Sequence, residues 1–197
     1  MNNDIILHND GSIEVKQIVD QLKDDTPEYL NINEIHHLLN VTAEKNNKHF
    51  MLICFLWNTG VRITEAIKVK KGNIDFSSKN IKILWLKRRK LQMRTIPVND
   101  KFMYLLSTYT GQMNKDQYIF PYTRQRACQI LTKYNEILNK TLHPHLFRHS
   151  FAVNYYLQTN DIVGLKDLLG HSNIRNTLIY AKISNSEIRG KLNSIDF

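Results

Sequence analysis

Hydrophobic positions recur at three- and four-residue intervals along most of this chain, and the interval shortens only between residues 73 and 98. Up to residue 26 the chain is polar, with one weakly apolar patch, Ile13–Leu22, that predicts a short helix broken by Thr26-Pro27. Asn31-x-x-Glu34 has the form of a capping box. Ile35, Leu38 and Leu39 follow it at helical spacing, which predicts a helix near 32–44. Lys48–Asn58 is apolar on most faces and runs into Thr59-Gly60, the pattern of a buried helix with a glycine stop. Arg62–Val69 predicts another short helix.

Three strand-like runs come next: Asn73–Phe76, Ile81–Leu86 and Thr95–Val98, rich in Ile, Val, Trp and Phe. Asp75–Asn80 makes the first turn, and the basic stretch Leu86–Arg94 makes the second connection. Together they predict a three-stranded antiparallel sheet with a positively charged hairpin. Asn99 or Asp100 caps a helix through Tyr109 that stops at Gly111. A loop then closes on Ile119-Phe120-Pro121, and a long helix is predicted over about 123–139. After His143-Pro144 the spacing predicts helices near 145–158, 161–169, 173–181 and 185–193. No internal repeat, low-complexity tract or linker interrupts the pattern. The expected fold is a single α+β domain, mainly helical, with one small sheet.

Length agrees, since 197 residues support one sizeable core but not two. The longest apolar run, Phe50–Trp57, falls well short of the roughly 18 residues of a membrane span. The first ten residues, MNNDIILHND, lack the basic-then-apolar order of a signal peptide. Cys54 and Cys128 have neither CxxC nor metal-ligand spacing, so they are expected to be reduced and structural, in a cytoplasmic protein. Charge changes the picture more. Residues 1–44 hold nine acids against two lysines, whereas residues 61–101 hold twelve Lys and Arg against three acids. A basic block beside an acidic leader suggests a nucleic-acid face; a solvated lysine-rich surface is the plainer alternative.

Candidate chemistry concentrates between His145 and Tyr180. His145 and Arg148 are three apart and share a helix face. His171 follows Gly170, where a helix would end, and Tyr180 comes nine residues later. Phosphodiester cleavage needs a nucleophile, cationic donors for the non-bridging oxygens and a proton for the leaving alkoxide. A phenol, two imidazoles and a guanidinium can supply much of this without a metal. A second guanidinium, Arg62, opens a short helix just past Gly60. Plainer readings compete. His143, His145, His149 and His171 do not have structural zinc spacing and no Cys or acid stands near them, so no metal site or other cofactor is expected. His149 is expected to pack or cap within its helix, and Tyr155 and Tyr156, mid-helix, to be core aromatics. Asp161–Tyr180 has the length and central glycine of a helix-turn-helix, the mark of a DNA-binding regulator that would need neither Arg62 nor the His145/Arg148 pair.

Four motifs in order, Thr59-Gly-Val-Arg62-Ile-Thr-Glu65, His145-Leu-Phe-Arg148-His-Ser-Phe-Ala152, Leu168-Leu-Gly-His171-Ser and Tyr180, resemble the tyrosine recombinase (phage integrase) family over roughly residues 28–185. The resemblance implies that Tyr180 attacks the scissile phosphate to form a 3′-phosphotyrosine, that Arg62 and Arg148 clamp the non-bridging oxygens, and that His145 helps deprotonate Tyr180. It further implies that His171 hydrogen-bonds the phosphate, that Glu65 supports Arg62, and that a hairpin lysine protonates the 5′-oxygen. Lys87, which ends the strand run, is the preferred lysine and Lys90 the second candidate. Duplex DNA would lie against Lys68, Lys70, Lys71, Arg88, Arg89, Lys90 and Arg94. Self-association on DNA as a synaptic tetramer is implied, with an accessory DNA-bending protein as a further partner and neither metal nor ATP required. A type IB topoisomerase shares the chemistry, but Leu168-Leu-Gly-His171 is more similar to recombinases. The family's separate N-terminal DNA-binding domain has no counterpart in residues 1–27, an acidic leader before a catalytic-type domain at 28–197. That pattern resembles short, catalytic-domain-only inversion recombinases or an excised fragment. In the family a tail such as 184–193, with its stripe Ile183, Ile188 and Leu192, packs on a neighbouring protomer; packing on its own domain is the alternative.

Overall fold

The computed structural model describes residues 27–181, apart from 88 and 89 and the side chains of 86–91. The expected helices at 13–22 and 184–193 and the side chains of Lys87, Arg88, Arg89 and Lys90 lie outside the described residues.

Helix α1 (Ile32–Lys45) starts as its sequence indicates. Asn31 Oδ1 accepts from Asn33 N–H and Glu34 N–H at 3.0 Å each, and Glu34 Oε2 accepts from Asn31 N–H at 2.8 Å. Asn46 then ends α1 and caps α2 (Asn47–Thr59), so two helices share one hinge residue. Met51 to Leu56 are all buried, and Phe55 meets the ring edges of Phe102 and Phe120. This is the central helix. It stops at Gly60, whose φ of 60° lies in the left-handed region, and a Cβ there would run into the Phe151 ring.

Helix α3 (Ile63–Ala66) leads through a short 3-10 turn to β1 (Ile74–Asp75), β2 (Asn80–Lys87) and β3 (Lys90–Pro97), paired antiparallel in the order β1-β2-β3. Pairing of Ile81 with Ile96 and of Ile83 with Arg94 sets the register. The strand β3 begins at Lys90 rather than Thr95, so most of the basic stretch Leu86–Arg94 is strand. Helices α4 (Asp100–Thr110, capped by Asn99), α5 (Arg124–Thr132), α6 (Asn135–Leu138), α7 (Pro144–Thr159) and α8 (Ile162–Leu169) follow, and residues 175–181 are again helical. The single helix expected over 123–139 is broken at Lys133 and Tyr134. Tyr134 turns into the core and its hydroxyl lies 2.7 Å from His49 Nδ1, a contact that a straight helix would not keep.

Among the described residues two apolar clusters result, and α7 runs through both. Leu146 and Phe147 belong to the large core around α2, while Ala152 and Val153 join Leu165, Leu169 and Tyr180 in a smaller one. Arg148 therefore stands where the two cores meet. No helix among the described residues is long and apolar enough to cross a membrane.

Candidate active site

The buried guanidinium of Arg148 faces the carboxyl ends of two helices. Its Nη1 donates to Gly60 O and its Nη2 to Leu169 O, both at 2.7 Å. Those carbonyls are the unpaired acceptors that close α2 and α8, and the negative end of a helix dipole favours a cation beside it. Burial, with Arg62 nearby, lowers the Arg148 pKa to about 10, which still leaves it charged at neutral pH. Nη2 also lies 3.0 Å from His171 Nε2. A guanidinium only donates, so Nε2 offers a lone pair and the ring proton sits on Nδ1, 3.0 Å from Thr177 Oγ1. His171 is neutral here: burial first, then Arg148, Arg62 and Arg94, pushes its pKa down to about 4.

Arg62 sits at the N-cap of α3, two residues past the Gly60 carbonyl that holds Arg148. Its backbone N–H donates to Glu65 Oε2 at 3.0 Å and its Nη1 to Glu65 Oε1 at 3.3 Å. The Arg62 side chain is 44 % exposed and Glu65 only 5 %, so the carboxylate is the fixed partner and the guanidinium the available one. Burial works against the charge on Glu65, yet the hydrogen bonds and charges of Arg94 and Arg62 keep its pKa below the usual carboxylate value.

Tyr180 is 2 % exposed, and its hydroxyl lies 2.9 Å from His149 Nδ1. The expected neighbour was His145. That residue is exposed one helical turn earlier, with its ring centroid 6.3 Å from that of His149. His149 thus does not simply pack or cap: it is the phenol's partner. The signal was present in the sequence, since positions 145 and 149 are four apart and share a helix face. Burial raises the Tyr180 pKa, against a smaller opposing pull from Arg148. Burial, with His145, Arg148 and His143 nearby, lowers that of His149 to about 4. His145 is itself lowered, by burial and then by Arg148, His143, Arg62 and Arg124. His143 caps α7, its Nδ1 accepting from Leu146 N–H at 3.2 Å. Thr177 completes the set of neighbours that sequence reasoning missed; it is fully buried behind His171.

An open cavity of about 620 Å³ lies in front of these groups, lined by Arg62, Lys68, Trp85 and His171 among others. Lys68 is the expected DNA-facing cation that lines it. Lys70 lies 5.5 Å from the Tyr118 ring centroid and 4.0 Å from Asp116, and Lys71 Nζ donates to Gly111 O and Met113 O at 3.2 and 2.7 Å. Both lysines are thus engaged with the loop between α4 and α5. Arg94 departs furthest from a phosphate contact. Its side chain is 9 % exposed and holds Glu65, because a buried carboxylate between strand and helix needs a second cation.

The profile of the phage integrase family matches residues 28–187, most of the chain. The chain belongs to the phage integrase family. Tyrosine recombinase XerD from Staphylococcus haemolyticus is 27 % identical over 185 residues, covering 85 % of this chain and 62 % of that protein. The crystal structure of XerA recombinase superposes with a TM-score of 0.72 at 20 % identity, covering 87 % of this chain and 67 % of that one. The XerH site-specific recombinase bound to difH substrate, a pre-cleavage complex, gives 0.65 at 18 % identity, covering 82 % and 52 %. These likenesses establish the integrase fold for the chain, which spans about three-fifths of the length of the curated relatives it matches. Within that fold, Arg62, Arg148, His171 and Tyr180, the residues on which the sequence resemblance rests, come from the N-cap of α3, from α7, from the turn after α8 and from the last described helix.

Proposed function

We propose that this chain is the catalytic domain of a site-specific DNA recombinase, which cleaves and rejoins duplex DNA through a covalent 3′-phosphotyrosine. The observation that carries the reading is the 3.0 Å contact of Arg148 with His171, beside a tyrosine packed on the same helix α7. One phosphate placed there meets Arg62 and Arg148 on its non-bridging oxygens, the planar, permanently charged donors suited to that task. Tyr180 Oη forms a bond to phosphorus, the bond from phosphorus to the 5′-oxygen breaks, and the phenolic proton passes to His145. A proton from Lys87, or from Lys90, leaves with the 5′-hydroxyl. The phosphotyrosyl bond keeps the ester's energy, so a second strand's 5′-hydroxyl reverses the step without ATP. Lys68 and the basic hairpin hold the duplex, and the domain works as a tetramer on paired sites, with a DNA-bending protein as a further partner.

Tyr180→Phe tests the reading. On nicked duplexes drawn from the DNA flanking its coding region, the parent chain should form an adduct that survives denaturing gel electrophoresis. The variant should bind the same DNA and form none; an adduct with the variant would assign the nucleophile elsewhere.

A further inference from the structure

Arg94 was expected to hold a DNA phosphate, and its geometry points elsewhere. Its Nε donates to Leu168 O at 3.0 Å, its Nη1 to Glu65 Oε1 at 3.2 Å and its Nη2 to Glu65 Oε2 at 2.8 Å. Its guanidinium carbon stands 5.0 Å from the centroid of the Trp85 ring, one of the walls of the cavity. A Cβ on Gly170 would come within 3.1 Å of Arg94 Nη1, so the chain between Leu169 and His171 passes directly over this guanidinium. Gly170 itself has a φ of 65°, which a side chain would strain.

Each neighbour of Arg94 leads to a different part of the site. Glu65 fixes the backbone and the guanidinium of Arg62. Leu168 precedes Leu169, whose carbonyl holds Arg148, and the turn that carries His171. Arg94 itself belongs to β3, paired along its length with β2, the strand that ends at Lys87. One side chain therefore ties the hairpin to both anion-binding segments.

We propose that Arg94 is a positioning residue, which sets Arg62, the His171 turn and the lysine-bearing hairpin in one frame without touching DNA. The inference rests on the recombinase reading above. Lysine is a stringent replacement, because it keeps the charge but cannot hold the carboxylate with two parallel bonds and the carbonyl with a third.

The test is Arg94→Lys in the full chain, with the parent in parallel. Three quantities are read: the single-turnover rate of adduct formation at saturating protein, the DNA affinity with its salt dependence, and the thermal midpoint. A positioning role lowers the saturated rate on the order of 100-fold, the effect of a small displacement at a reacting centre, while affinity, salt slope and folding stay those of the parent. A phosphate contact would instead weaken binding and reduce the salt slope by about one, and that outcome overturns the proposal. A rate loss accounted for by the unfolded fraction overturns it too. Should the lysine variant fold poorly, Glu65→Gln, which keeps the side chain's shape, is expected to give the same slow-but-bound behaviour; unimpaired cleavage in it overturns the proposal. A parent chain that forms no adduct defeats the recombinase reading, and this inference with it. A parent that cleaves alongside an equally fast Arg94→Lys defeats this inference alone.

Discussion

Tyr180 Oη meets His149 Nδ1 at 2.9 Å, in a site where the exposed imidazole of the same helix is His145. A neutral His149 with a pKa near 4 is a poor acceptor for a phenolic proton whose own pKa is raised by burial. The contact therefore describes a resting arrangement, in which the proposed nucleophile is buried, hydrogen-bonded and protonated. A general base works best with a pKa near the operating pH. The proposed recombinase reading gives the base's role to His145, which is exposed and whose pKa is lowered by burial and then by Arg148, Arg62 and Arg124 among others, a charge effect that a bound phosphate would oppose.

The two histidines should consequently separate on substitution. His145→Gln is expected to slow adduct formation on the order of 100-fold, the usual loss for a general base. His149→Gln, which still offers the phenol an amide, should slow it by less than about tenfold. Single-turnover rates on one nicked duplex compare them, and the reverse order would move the base to His149.

Stability should fall with acid through a defined window. His149 and His171 are both held at about 4 by burial and nearby positive charge, against 6.5 for an unperturbed ring. Between those values the unfolded chain binds a proton at each site and the folded chain does not, so unfolding takes up protons and becomes easier as pH drops. The contribution is fully present above about 6.5 and gone near 4. Both rings are only half-buried and screened, which limits the expected loss to about 1–2 kcal/mol each. Thermal midpoints at pH 7 and pH 5 check this. The pH 7 to pH 5 drop should shrink in His149→Gln and in His171→Gln, and an unchanged drop would exclude those groups.

Thr177 gives His171 a way to change roles. In the resting site Nδ1 donates to Thr177 Oγ1 while Nε2 accepts from Arg148. To donate to a phosphate, Nε2 needs the ring proton, and the hydroxyl can then turn to donate to Nδ1. Thr177→Val removes both options at similar shape and leaves Nδ1 without a partner in a buried place. Its saturated cleavage rate should drop about tenfold, for a net cost near 1.4 kcal/mol, with DNA affinity unchanged, while Thr177→Ser restores it. Equal rates in the valine and threonine forms would show that the tautomer shift needs no hydroxyl.

What was legible in the sequence was local. The capping box at Asn31 and Glu34, the glycine stops at Gly60 and Gly170, and the helical spacing of α1, α2, α7 and α8 all depend on residues within a turn of one another. The features that escaped depend on contacts across the chain. Tyr134 breaks its helix for a partner 85 residues away, and Arg94 turns inward for a carboxylate 29 residues away. The early start of β3 was hidden because Gln92 and Arg94 occupy positions where an alternating strand would show apolar residues. His149 lies between the two cases: its helix face, shared with His145, is local, but its partner Tyr180 stands 31 residues away.

The hairpin supplies the last expectation. Lys87 closes β2, Lys90 opens β3, and the two are directly paired in the ladder. Backbone register therefore does not distinguish them, and chemistry must. A lysine that protonates the 5′-oxygen contributes to the rate at saturation, whereas one that holds a phosphate contributes to affinity and its salt dependence. Lys87→Ala is expected to slow adduct formation 100-fold or more, the order for a lost general acid, with binding nearly unchanged. Lys90→Ala should weaken binding and lower the salt slope by about one, leaving the saturated rate close to that of the parent. Normal adduct yield in Lys87→Ala, with a slow Lys90→Ala, would transfer the proton-donating role across the strand pair.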